Sequence, residues 1–282
     1  EGEFDLGTNE FNNNGTFYQK DVVKGTGDFK NNAGAKLNVT ANTQLKITNA
    51  AAADKKAAAV INVTGTSTAI VKMTATTSAK LTNNGVINLN AYSKLVENAD
   101  GVIIQTAGAT INVAANATLA LEATTPLGGG YVVIDKGATV SNANANDLIA
   151  YTIVGEDDLT DNEVSTANTL FINADLTVTS NNKTTLNAKN LVLNKNLKLK
   201  DDLEMNKSVI VAGAVKITAD DAKQLKLTGT GNIINKDASL TIGENVTLQG
   251  AASSELKALG GLTADGGTID AKGDAGLTIK YQ

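Results

Sequence analysis

LVLNKNLKLKDDLEMNKSVIVAGAVKIT, residues 191–218, is the stretch whose reading decides the fold. Its aliphatic residues fall in i, i+2 pairs: Leu191/Leu193, Leu197/Leu199, Leu203/Met205, Val209/Val211 and Val215/Ile217, each pair beginning six residues after the last. A helix would repeat near 3.6 residues, and a long strand would alternate without a break. A three-residue strand that points two side chains inward, followed by NKN, KDD, NKS or AGA, fits neither. Repeated hexads of this kind predict a solenoid, a chain wound into stacked coils with three strands in each. Burying ten aliphatic side chains does not by itself offset the ordering of that much backbone, so one coil alone cannot hold. Neighbouring coils must supply hydrogen-bond ladders and aliphatic columns. If 18 residues close a turn, Val192 stacks on Ile210, and Lys198 on Lys216 outside.

Outward from this run the period lengthens. Toward the N-terminus the pairs Leu37/Val39, Ile61/Val63, Ile87/Leu89 and Ile111/Val113 recur at steps of 24, 26 and 24 residues. A second series runs through Ile47, Val71, Leu95 and Leu119, and a third, less regular, through Leu81, Ile103 and Leu127. The expectation is an all-β, single-stranded parallel β-helix with about three short strands per coil, right-handed winding and capped ends. Residues 1–30 read as an N-terminal cap or irregular first coil, because four of the five Phe (Phe4, Phe11, Phe17, Phe29) lie there and a raw coil end must be covered. The β-helix is expected over 31–250, with wider coils to about 140, an irregular span at 141–168 and tighter coils at 169–250. Ala50–Ala59 reads as a bulging turn between coils. Residues 251–282 read as a short helix and strands, a second cap; Ser253–Leu259 carries the Ser start, early Glu255 and trailing Gly260–Gly261 of a capped helix.

Composition agrees with that architecture. Aromatics make up 4% and there is no Trp, so Val, Ile, Leu and Ala must fill the interior, as suits identical narrow layers. Pro occurs once, which leaves almost every backbone amide able to join a ladder. The 33 Asn, with abundant Thr and Gly, supply strands and tight turns. Asn at repeated turns can also form amide ladders along the axis. The net charge is −5 and the chain has neither Arg nor His, which argues against nucleic acid and anionic membranes as partners. No transmembrane segment is expected, and with no Cys there is no disulfide framework.

Chemistry-bearing constellations are few. Without His, a Ser–His nucleophile is impossible, and no Ser–Lys pair stands out; no catalytic residue and no bound cofactor is expected. The acidic run GEDDLTDNE offers Asp157, Asp158, Asp161 and Glu163 as hard oxygen ligands, a candidate Ca²⁺ site without the spacing of an EF-hand loop. Polysaccharide-cleaving β-helices need a carboxylate pair with a nearby base, and the carboxylates here are scattered. GATINVAANATLAL (108–121), TNNGVINLNAYSKL (82–95) and ASLTIGENVTLQG (238–250) resemble the repeats of bacterial surface β-helix proteins, the autotransporter passengers and haemagglutinin-like adhesins. The resemblance implies a secreted or outer-surface solenoid of a Gram-negative bacterium, its signal peptide removed, that binds a host or matrix protein or a glycan. It transfers no functional residue. The alternative is a carbohydrate-active β-helix that binds or cleaves a glycan, and hairpins packed into a β-sandwich are a third, structural possibility.

Overall fold

A computed structural model describes residues 4–24, 26–53, 56–142, 149–154, 159, 164, 167–235, 238–251, 254–258, 260–270 and 278–280. The chain divides into two compact units, Glu1–Ile149 and Ala150–Gln282. Each is a parallel β-solenoid of short strands on three faces. In the first unit, one face stacks Thr16–Gln19, Lys36–Val39, Val60–Val63, Val86–Leu89, Thr110–Val113 and Tyr131–Ile134. A second stacks Phe11–Asn13, Asp28–Asn31, Lys46–Asn49, Leu81–Asn83 and Ile103–Gln105. The third stacks Val71–Ala75, Ser93–Glu97, Thr118–Leu121 and Thr139–Asn142. Leu37, Ile61, Ile87 and Ile111 share one inward column, in the register that the 24–26-residue steps predict. Ile47 falls elsewhere than its spacing suggests. It pairs with Leu81 on the second face, because the single residue Thr43, bridged to Met73, has already taken that coil's place on the third.

The first face of the second unit runs from residues 150–153 through Thr169–Ile172, Asn190–Leu193, Ser208–Val211, Asn232–Asn235 and Glu255–Ala258 to Thr278–Lys280. Here Val192 does stack between Phe171 and Ile210. Lys198, however, pairs with Thr218 and not with Lys216. The later strand, Val215–Ala219, starts two residues early and extends beyond the three-residue strand Leu197–Leu199, so hexad counting slips at that corner. The capped helix expected at Ser253–Leu259 is also corrected. Glu255–Ala258 is a strand paired with Asn232–Asn235, and Leu256 is fully buried in the column below Ile233. Seven residues gain little as a lone helix in water, whereas a strand there joins both a ladder and the core. The short helix that does form, Lys183–Asn187, buries Leu186 beside the strand Leu203–Met205, which pairs with Leu225–Leu227. Within residues 50–59, Ala53 and Lys56 form an antiparallel bridge.

Amide side chains fix the register of the first unit. Asn13, Asn31, Asn49, Asn83 and Gln105 form a buried column at the end of the second-face strands. The Asn13 Nδ2 donates to Asn31 Oδ1 at 2.8 Å, Asn31 to Asn49 at 2.9 Å, Asn49 to Asn83 at 2.9 Å and Asn83 to Gln105 Oε1 at 3.1 Å. The second amide hydrogen goes to a backbone carbonyl at the corner: Lys36 for Asn13, Val60 for Asn31, Val86 for Asn49 and Thr110 for Asn83. Buried amides are thus satisfied only when coils stay in step. A second, half-buried ladder climbs the outside of the first face, Asn38–Asn62–Asn88–Asn112, with 2.9 Å at each step. The corner before the third face is equally repetitive. Tyr92, Asn116 and Gly137 all adopt positive φ (60°, 61° and 82°), and each of the first two donates its amide to the next carbonyl at 3.0 Å.

Candidate functional site

The third-face ladder of the first unit breaks near its N-terminal end, and the break forms a groove. Thr43 is held to the strand above it as a regular ladder residue: its N–H donates to the Lys72 carbonyl and its own carbonyl accepts from Thr74 N–H, both at 2.9 Å. The Asn42 side chain adds a bond, its Oδ1 accepting from Lys72 N–H at 2.7 Å. One coil earlier, Val23–Lys24 pairs with Phe4–Asp5 but not with residues 42–44. Peptide groups alternate in direction along an extended segment, so the Asn42 carbonyl and the Gln44 N–H flanking Thr43 turn away from the Lys72 strand. Neither makes a backbone hydrogen bond among the described residues.

A groove of about 410 Å³ opens there, lined by Val22, Val23, Asn42, Thr43, Gln44, Lys72 and Thr74. Val22 is 52% exposed at its rim. Thr43 is only 4% exposed, and its Oγ1 is buried without a hydrogen-bond partner. An unsatisfied buried hydroxyl costs about 1–3 kcal/mol. Above the groove, Lys72 and Lys94 are in register on adjacent strands. The ion pairs Glu10–Lys30 and Asp28–Lys46 engage other lysines of this unit, and no carboxylate among the described residues pairs with Lys72 or Lys94.

Titratable groups elsewhere do structural work. A hydrogen bond from Lys30 holds the Glu10 carboxyl below its ordinary value, and one from Lys223 does the same for Asp221; both pairs are exposed. Burial pushes the Lys189 ammonium down, and it donates to the Ala167 carbonyl at 2.5 Å. Glu97, buried at the end of its strand, accepts from Ile103 N–H at 2.7 Å and so caps a corner. The candidate Ca²⁺ ligands Asp157, Asp158, Asp161 and Glu163 lie outside the described residues. Among the described residues no three His, Cys, Asp or Glu side chains converge in a group that could hold a metal ion. No helix among them is long and apolar enough to cross a membrane.

Sequence reasoning missed the groove. Val22, Val23, Asn42 and Gln44 carry no motif, and the signal for a broken ladder was the missing i, i+2 aliphatic pair between Val39 and Leu45. Compared with protein-family models, curated proteins and solved structures, the chain finds no match.

Proposed function

We propose that this chain is a non-enzymatic solenoid, secreted or carried on the outer surface of a Gram-negative bacterium, with an adhesin-like or scaffold role. The observation that carries this reading is the lining of the groove. Asn42, Thr43, Gln44, Lys72 and Thr74 offer hydrogen-bond donors and acceptors and one positive charge, a set suited to holding a ligand. General acid–base cleavage of a glycan would call for a pair of carboxylates, and the described lining residues supply none. Repeat texture supports the surface location, through segments such as GATINVAANATLAL, and the ligand class is a host or matrix protein or a glycan.

An immobilised full chain, assayed against a glycan array and a panel of extracellular-matrix proteins, tests this reading. The expected result is saturable binding to at least one member without any cleavage product. Binding to neither class, or turnover of a bound polysaccharide, would contradict it.

A further inference from the structure

We infer that the corner between the first and third faces of the first unit, at Ile70, Tyr92, Lys72 and Lys94, binds a uronate-bearing glycan. This rests on the binding role proposed above and names its ligand chemistry. What singles the corner out is a residue at odds with its own backbone. Three equivalent turns follow the first-face strands: Asn90–Ser93, Ala114–Ala117 and Asp135–Ala138. In each the fourth N–H donates to the first carbonyl, at 3.2, 2.9 and 3.0 Å. The third residue has positive φ, which Asn116 and Gly137 tolerate and a tyrosine resists. Burial does not account for Tyr92 either, since 37% of it stays exposed. Strained backbone kept without burial clusters at ligand sites.

The surroundings of Tyr92 supply the rest of a sugar site. Val71 and Ser93 are in register, so Ile70, 65% exposed, lies beside Tyr92 one coil away. Ile70 ends a longer corner, residues 64–70, which stands where the next coil has only 90–92. That corner turns back through the Thr66–Ala69 bridge and leaves Thr66, Ser67 and Thr68 exposed. Two residues past Tyr92, Lys94 faces outward in register with Lys72, and neither pairs with a carboxylate among the described residues. Tyr92 and Ile70 offer apolar area to the C–H face of a pyranose ring, and the Thr and Ser hydroxyls can bond its hydroxyls. Two neighbouring ammonium groups favour a carboxylate. A neutral glycan would leave the lysines unanswered, and an anion without rings would leave Tyr92 unanswered.

Isothermal titration of the full chain with hyaluronan fragments, alongside dextran and polyglutamate, tests the inference. Wild type is expected to bind hyaluronan, more weakly as salt rises, and to bind neither control. Tyr92→Asn installs the residue that the next turn carries. It should weaken hyaluronan binding about tenfold while melting at or above the wild-type temperature. The double variant Lys72→Gln/Lys94→Gln should also lose about tenfold or more, a readout that stands even if Tyr92→Asn fails to fold. No hyaluronan binding, equal binding of dextran or polyglutamate, or unchanged binding by the lysine variant or by folded Tyr92→Asn would overturn the inference. So would a lower melting temperature for Tyr92→Asn, which would mean that packing retains the tyrosine. A matrix protein or another glycan bound equally by wild type and Tyr92→Asn would sink this site while leaving the adhesive role intact.

Discussion

Asn49 and Asn88 show how the same residue does different work inside and outside the coils of the first unit. Asn49 is fully buried, accepts from Asn31, and donates to Asn83 and to the Val86 carbonyl. Replacing it with Ala removes the acceptor of the Asn31 amide and a buried donor to Asn83 Oδ1 and to the Ala59 and Val86 carbonyls. Asn49→Ala should destabilise the first unit by on the order of 3 kcal/mol, read from denaturant midpoints at unchanged slope. Asn88 occupies the half-buried outer ladder between Asn62 and Asn112, where water can replace a lost partner. Asn88→Ala should cost less than about 1 kcal/mol in the same measurement. Gly85 sits beside the inner ladder for a steric reason: a Cβ there would lie 2.4 Å from the Ala59 carbonyl oxygen and 2.6 Å from that of Ala50. Because those atoms are backbone, Gly85→Ala should destabilise by about 1–3 kcal/mol in urea unfolding. The inner ladder left a trace in the sequence: paired Asn ahead of Gly recurs in FNNNG (11–15), KNNAG (30–34) and LTNNG (81–85). Among 33 Asn that trace is easily lost, since nothing local marks which amide turns inward.

At the scale of the element, the i, i+2 aliphatic pair was sufficient to find strands and insufficient to align them. Leu191/Leu193 and Val209/Val211 are one coil apart, as the hexads predict. Leu197 then pairs with Ile217, because the three-residue corners NKN and AGA lead into strands of unequal length: Val215–Ala219 begins two residues ahead of the position that meets Leu197. Period counting therefore fails wherever strand length changes from one coil to the next. Paired cysteines test this register from outside. Lys198→Cys with Thr218→Cys places two thiols on neighbouring in-register residues, within the separation of about 4.4–6.8 Å that a disulfide spans. That pair should cross-link on mild oxidation, while Lys198→Cys with Lys216→Cys should not; the opposite pattern on a non-reducing gel would favour the 18-residue coil. The strand Glu255–Ala258 teaches the converse lesson about local signals. Its Ser, Glu and Gly pattern favours a helix, but Leu256 aligns with Ile233 and the ladder decides.

At the scale of the molecule, parallel coils stack in both units, and in the first they are locked by side-chain amide ladders. An open coil end is the liability of such a stack. In the first unit the rings of Phe11, Phe17 and Phe29 cluster at 5.1–5.4 Å, and Phe29 stacks in register below Ile47. Deleting residues 1–30 uncovers the Leu37 and Ile47 columns together with an unpaired strand edge. Sedimentation velocity should then show self-association, and a monodisperse monomer would argue that the cap is dispensable. The most direct test of the parallel winding itself is a nuclear Overhauser experiment on the isotopically labelled chain. The account predicts backbone contacts between Val192 and Ile210 and side-chain amide contacts running from Asn31 to Asn49 to Asn83. Cross-strand contacts between Leu193 and Leu197 across the NKN turn, with none between Val192 and Ile210, would mean antiparallel hairpins and would contradict it.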